Sequence, residues 1–289
     1  MAVTFEFRAA QTTAEAVGLL KEHGSDAKVI AGGQSLMPLI NLGLAQPTVL
    51  VDINGLASLD FVQERDGVLA IGALSRHRTL ERSDVIRKSC ALLAEAIPLI
   101  GDRQVRNRGT MGGSLSHADP VAEIPTVATC LGATMHLEGP NGGRDVSASD
   151  FFVTYLTTAL KHDEILTEVR FPILAPGTGV SYKELVRRKG DFAIVAAAAT
   201  ARVAADGTCS EVQLALAGVE ATPIRADAAA GILRGRVPSA QLIEEAAQAA
   251  CEGIDPEGDV IASADYRRAM APVFARRALT EAFSRSQAG

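Results

Sequence analysis

Apolar residues recur along this chain with two periods, and the period switches repeatedly between them. In TTAEAVGLLKEHG, Ala16, Leu19 and Leu20 fall at helical spacing. Thr12 with Glu15 makes a capping box and Gly24 stands where a helix would end, so the stretch predicts a helix. AKVIAGG and TVLVDI are rich in β-branched residues and close on Gly or on Asp-Ile-Asn, which predicts two strands. FVQERDGVLAIGAL alternates apolar and polar positions on either side of Asp66-Gly67, the pattern of a hairpin with a two-residue turn. SCALLAEAIPLIG predicts a short helix stopped by Pro98 and Gly101. Asp119 and Pro120 read as N-cap and first residue of a helix through VAEIPTVATCLG. ATMHLEGPNGGRDV reads as two strands around a Gly-rich turn, and EILTEVRFPI as a strand ending at Pro172.

Composition shifts at LAPGTGVSY (residues 174–182), a Pro/Gly/Ser/Thr stretch with the character of a linker. Beyond it GVSYKELVRR, AIVAAAATARVAADG and EVQLALAGV predict three strands. RADAAAGILRG, SAQLIEEAAQAACEG and ASADYRRAMAPVFARRALTEAFSR predict three helices. Strands followed by helices is an α+β arrangement. The expected division is therefore an N-terminal domain over residues 1–175 and a C-terminal domain over residues 178–285.

With 289 residues the chain can bury a substantial core, and 47% hydrophobic against 21% charged residues suits a soluble globular protein. A formal charge of −6 and the lack of a basic stripe argue against nucleic acid as a partner. The N-terminus has no apolar signal region. The richest apolar run, FAIVAAAATARVAA, is broken by Arg202, so a membrane span is not expected and a cytoplasmic location is. Cys90, Cys130, Cys209 and Cys251 each stand at least forty positions from the next, so no local zinc or iron–sulfur ligand set exists and they read as buried, reduced thiols. His77, His117 and His162 lack ligand spacing and read as surface or internally satisfied, with His117, beside a Gly-Gly pair, the one to test. No metal site is expected.

Two Gly-Gly pairs carry the candidate chemistry: VIAGGQSLMPLI (residues 29–40) and NRGTMGGSLSHADP (residues 107–120). Neither matches the usual phosphate-loop fingerprints. A diphosphate can nonetheless be met by successive backbone N–H groups turned inward, which needs Gly for close approach and for positive φ. Gln34, Ser35, Thr110 and Ser114 could add side-chain donors. Taken singly, each pair also reads as a tight strand-to-helix turn.

Taken together, the two segments resemble the FAD-binding medium subunit of the molybdenum hydroxylases, the family of carbon monoxide dehydrogenase medium chains and the xanthine dehydrogenase flavin domain. The family's A-G-G-x-S stands here at Ala31–Ser35 and its T-I/V-G-G-N/S at Thr110–Ser114. VDINGLASL, GVLAIGALSRHRTLE, DEILTEVRFP, RRKGDFAIVAAAA and ADYRRAMAPVFARRAL fall where that family has similar segments. The resemblance implies an α+β protein: a two-part FAD-binding domain of the vanillyl-alcohol-oxidase (PCMH) type, then a small C-terminal domain with a three-stranded sheet plus helices.

It also implies that both loops wrap the diphosphate of a non-covalently held FAD through Ala31, Gly32, Gly33, Gln34, Ser35 and Leu36, and through Thr110, Gly112, Gly113 and Ser114. Ser114 stands where relatives carry the longer Asn. Glu123 falls near the adenosine end, although it equally suits a carboxylate in a helix's first turn. Leu166 is expected against the flavin, although it equally suits a core strand, and Lys183 near its N1–C2 carbonyl, although it equally suits a solvated strand position; Asp191 or Phe192 is expected at the flavin edge. The molybdenum cofactor and two [2Fe-2S] clusters are expected on large and small partner subunits, in a dimer of heterotrimers. Electrons would pass through FAD here to NAD⁺, oxygen or another acceptor, with no catalytic acid or base in this chain. An autonomous FAD oxidoreductase of the same fold, and a scaffold that has lost its flavin, are the alternatives.

Overall fold

The computed structural model describes residues 4–286. Its first layer contains β1 (Glu6–Ala9), α1 (Thr13–His23), β2 (Ala27–Ile30), α2 (Leu36–Asn41) and β3 (Val49–Asp52). The strands lie parallel in the order β1-β3-β2. Helix α1 buries Ala16, Val17 and Leu20, as its spacing predicts. The Thr12 hydroxyl accepts the Glu15 N–H at 3.1 Å, while the Glu15 carboxylate reaches one residue further back than a capping box requires, to the Gln11 N–H. The first Gly-Gly pair connects β2 to α2.

A second, larger unit follows. It runs through β4 (Val62–Arg65), β5 (Val68–Gly72), α3 (His77–Arg82), α4 (Asp84–Ser89), α5 (Ala91–Ala96), α6 (Arg103–Arg108), α7 (Met111–His117) and α8 (Glu123–Leu131). Beyond these come β6 (Thr134–Gly139), β7 (Gly142–Ser147), α9 (Ala148–Phe151), β8 (Phe152–Thr154), β9 (Thr157–Thr158) and β10 (Ile165–Pro172). Five of these strands form an antiparallel sheet in the order β4-β5-β10-β6-β7. Asp66 (φ 50°) and Gly67 (φ 77°) both take the left-handed conformation, as the two-residue hairpin turn demands.

The helix expected from Asp119-Pro120 starts later, at Glu123. The cause is Pro125. In a helix begun at Pro120 it would sit in the interior, lacking an N–H and clashing with the preceding turn. As the third residue of α8, its missing donor is one that the helix leaves unpaired anyway. Asp119 instead closes a turn by accepting the Val121 N–H at 3.0 Å.

The C-terminal part consists of β11 (Gly179–Leu185), β12 (Val195–Val203), β13 (Cys209–Ala217), β14 (Ile224–Arg225), α10 (Asp227–Leu233), α11 (Ala240–Ala249) and α12 (Ala264–Arg285). The antiparallel order is β11-β12-β13-β14, so a two-residue edge strand extends the expected three. Successive alanines of β12 face opposite ways. Ala196 and Ala198 join the core of the preceding unit, whereas Ala197, Ala199 and Ala201 join a second core with Ala275, Ala278 and Leu279 of α12. Among the described residues no helix is long and apolar enough to cross a membrane.

Gly179 marks the closest approach of β11 to the end of α12. A methyl group there would stand 2.5 Å from the Ser286 nitrogen and 2.9 Å from the Arg285 carbonyl carbon, both backbone. Gly179→Ala is expected to lower stability by roughly 2–3 kcal/mol, because a packed backbone must shift. An unchanged melting temperature would show instead that the end of α12 yields freely.

Candidate functional site

Where β2 ends, Ala31-Gly32-Gly33-Gln34-Ser35 turns the chain into α2. Gly33 takes φ +71°, a left-handed conformation that glycine adopts without a Cβ clash. The Gln34 side-chain amide donates to the Gly32 carbonyl at 3.1 Å and pins the turn. Among the described residues, the backbone N–H groups of Gly32, Gly33, Gln34, Ser35 and Leu36 donate no hydrogen bond. This is an amide-rich concavity suited to an anion with many acceptor oxygens.

The second segment is built differently from the expectation of a matching amide loop. MGGSLSH is helix α7, with Thr110 as N-cap. Its first amides are engaged inside the protein: Met111 donates to the Ser75 carbonyl (3.0 Å), Gly112 to the Ala73 carbonyl (2.8 Å) and Gly113 to the Thr110 hydroxyl (3.1 Å). A methyl group on Gly112 would sit 2.6 Å from the Ala73 Cβ, and one on Gly113 would sit 2.8 Å from the capping Thr110 hydroxyl. These glycines allow close helix-to-strand packing and leave a smooth face, beside which Ser114 and His117 lie one turn apart. The two glycine segments also touch. A methyl group on Gly32 would collide with the Arg108 carbonyl, standing 2.9 Å from its carbon and 3.0 Å from the Gly109 Cα.

Between them opens a cavity of about 720 Å³, a size typical of a large organic ligand. Ala31, Gly32, Gly33, Gln34, Ser35, Leu36, Thr110, Gly112, Gly113, Ser114, Glu123 and Leu166 all line it, with Gly190, Asp191 and Phe192. Lys183 is not brought to this cavity. It pairs with Glu281 of α12 on the opposite face of β11. Strand alternation is the reason: Tyr182 packs into the core shared with α8, and the next residue points away.

Sequence spacing missed the gathering of histidines: His77, His117 and His162 all reach this cavity wall. Being separated along the chain, they come together only through the fold. His77 is buried against Gly109, and burial pushes its imidazole down to about 4, with Arg106 and Arg76 adding to the shift, so it is neutral. Burial likewise lowers the His117 pKa. Among the described residues no group of three or more His, Cys, Asp or Glu side chains could hold a metal ion.

Two acids of the wall, Glu123 and Asp119, are displaced in the opposite direction, whereas the Arg144 guanidinium holds Glu164 below its ordinary range. Burial pushes Glu123 up to about 8, reinforced by the charges of Glu184 and Asp119. Burial raises Asp119 and, outside the cavity lining, takes Glu184 to about 7. At neutral pH Glu123 is mainly a neutral carboxyl group, able to donate a hydrogen bond into the cavity rather than repel an anion. Open amides, glycine faces, apolar walls at Leu36, Leu39, Ile165 and Leu166, and a neutral acid together fit a dinucleotide with a diphosphate at its centre.

A cavity of this kind, between a parallel layer and an antiparallel sheet, defines the chain as a carrier of a dinucleotide cofactor. Residues 3–174 match the family described as FAD binding domain in molybdopterin dehydrogenase, and residues 180–282 match the CO dehydrogenase flavoprotein C-terminal domain. The chain belongs to the FAD-binding medium subunits of the molybdenum hydroxylases, as oxidoreductase flavoproteins. It is 39% identical over 281 residues to the carbon monoxide dehydrogenase medium chain of Hydrogenophaga pseudoflava, covering 97% of this chain and 98% of that one. It is 38% identical to the alpha subunit of the 6-hydroxypseudooxynicotine dehydrogenase complex of Paenarthrobacter nicotinovorans, covering 98% and 96%. The solved carbon monoxide dehydrogenase from Hydrogenophaga pseudoflava lacking the Mo-pyranopterin moiety superposes with a TM-score of 0.97 at 40% identity, covering 99% of this chain and 100% of that one.

Proposed function

We propose that this cavity holds FAD non-covalently and that the chain relays electrons from [2Fe-2S] clusters on a small partner subunit to an external acceptor. The substrate is oxidised at a molybdenum cofactor on a large partner subunit. The three chains form a dimer of heterotrimers in the cytoplasm. The observation that carries this reading is the open amide loop from Gly32 to Leu36, set against the glycine face of α7. In this reading residues 1–175 hold the cofactor and residues 178–285 brace it.

Each residue's part follows from its position. The amides of Gly32, Gly33, Gln34, Ser35 and Leu36 meet the diphosphate, with Ala31 setting the entry to the loop. Thr110, Gly112 and Gly113 present a flat surface, and Ser114 offers a hydroxyl. Neutral Glu123 donates a hydrogen bond, and Leu166 covers an apolar ring. Phe192, 64% exposed, stands at the mouth. FAD, when bound, supplies the electron-accepting and electron-donating chemistry.

The test is purification of the full chain, alone and co-expressed with its partners, followed by its visible spectrum. A flavin band near one FAD per chain, with large and small partners copurifying, is expected. Partners copurifying with a colourless chain would overturn the cofactor assignment, and substrate oxidation by the isolated chain would overturn the relay.

A further inference from the structure

The two glycine segments meet backbone to backbone, yet among the described residues no backbone hydrogen bond joins residues 31–36 to residues 105–114. Their spacing is held by side chains from elsewhere. Asn54, just beyond β3, donates through Nδ2 to the Ala31 carbonyl at 2.8 Å and to Asp52 at 2.5 Å. Its Oδ1 accepts a hydrogen bond from one terminal nitrogen of Arg76 at 2.5 Å. The other terminal nitrogen of Arg76 donates to the Arg108 carbonyl. A continuous polar relay therefore runs from the residue before Gly32 to the residue before Gly109.

Each end of the relay has its own anchor. Asp52 also accepts the Asn54 backbone N–H at 3.0 Å, fixing the amide's orientation. On the other side, the backbone of Arg76 pairs with Thr110 as an antiparallel bridge, and the His77 N–H donates to the Gly109 carbonyl at 3.0 Å. The Arg76 backbone thus belongs to the second segment while its side chain reaches the first. A guanidinium suits the task because two nitrogens of one rigid plane address two acceptors at once, which an ammonium cannot do from one point. Both carbonyls are drawn toward the relay.

We infer that Asn54 and Arg76 are positioning residues that set the gap between the two glycine segments and so preorganise the diphosphate site. The inference rests on the proposed FAD reading. Neither residue lines the cavity, so each acts through the segments it holds.

The experiment measures FAD affinity by fluorescence titration of apoprotein for wild type, Asn54→Ala, Arg76→Ala, the double variant and Arg76→Lys. Melting temperatures of the apoproteins and the visible circular dichroism of the bound flavin are recorded alongside. Each single variant is expected to bind FAD roughly ten- to thirty-fold more weakly. The double variant should bind no more weakly than the worse single one, because both changes break one relay. Arg76→Lys, keeping charge and melting temperature, should remain weak and give an altered flavin dichroism. Arg87→Ala removes arginine hydrogen bonds to Glu81, Arg82 and Asp84 outside the cavity, and should leave affinity unchanged. Wild-type affinity in both single variants, additive losses in the double variant, or full rescue by lysine would each overturn the relay. Failure of wild type to bind FAD both alone and with its partner subunits would instead sink the cofactor reading itself.

Discussion

Replacing Gly32 with alanine is expected to weaken FAD binding at least about 100-fold, an effect on the order of 3 kcal/mol. The new methyl group has no flexible neighbour to displace. It meets the backbone of Arg108 and Gly109, so the two glycine segments must separate and the amide concavity opens. Gly33→Ala should be milder in packing, since the nearest atom is the flexible Met37 Cγ at 3.3 Å, but it carries the strain of φ +71°. Gly18→Ala is the control. Its methyl group meets nothing within 4 Å on helix α1, and it should raise stability by roughly 0.5–1 kcal/mol without touching affinity. Equilibrium dialysis of FAD against the three variants decides the matter. Wild-type affinity in Gly32→Ala would mean that the contact between the segments does not shape the site.

Glu123→Gln is expected to change how apoprotein stability responds to pH. Burial raises this carboxyl from its ordinary 4.5 to about 8, so between those values the folded chain holds a proton that the unfolded chain releases. The stabilising contribution is complete below about pH 4.5 and is lost as pH rises through about 8. Over the whole interval the effect is on the order of 5 kcal/mol, at about 1.4 kcal/mol per pKa unit. Glutamine keeps the shape and has no such proton, so the variant should melt increasingly above wild type from pH 5 to pH 9. Glu184 titrates in the same window, but the difference between the two proteins isolates Glu123 and its coupling to that neighbour. Parallel melting curves across the range would refute a buried, protonated Glu123.

Local signals carried much of the architecture. Asp66-Gly67 announces its hairpin, Thr12 its helix and the apolar runs their strands, because each is decided by a few adjacent residues. Features that depend on distant contacts are less legible in the sequence. MGGSLSH does not advertise a helix, since two glycines disfavour one. It is helical because Ala73, Ser75 and the Thr110 cap receive its first amides. Residues of both segments, which match one family pattern, nevertheless line one cavity. Lys183 lies outside this cavity for a periodic reason, one step along a strand reversing the face. His77 gave no signal, because a single histidine in the sequence says nothing about the glycine it packs against. Asn54 and Arg76 fall in segments that match the family, yet nothing in VDINGLASL or GVLAIGALSRHRTLE marks their part, which lies in a chain of hydrogen bonds across three elements.

The alanine faces of β12 have a consequence for how the molecule comes apart. The stretch between Pro172 and Gly179 looks like a seam, but the core does not stop there: Tyr182, Ala196, Ala198, Ala215 and Ala217 pack in one cluster with Leu92, Leu93, Val127 and Met135. A seam in the covalent chain is thus not a seam in the cooperative unit. Heat or denaturant should melt both halves in one transition, and a chain cut at the seam would bare a smooth, methyl-studded sheet that favours self-association over independent folding.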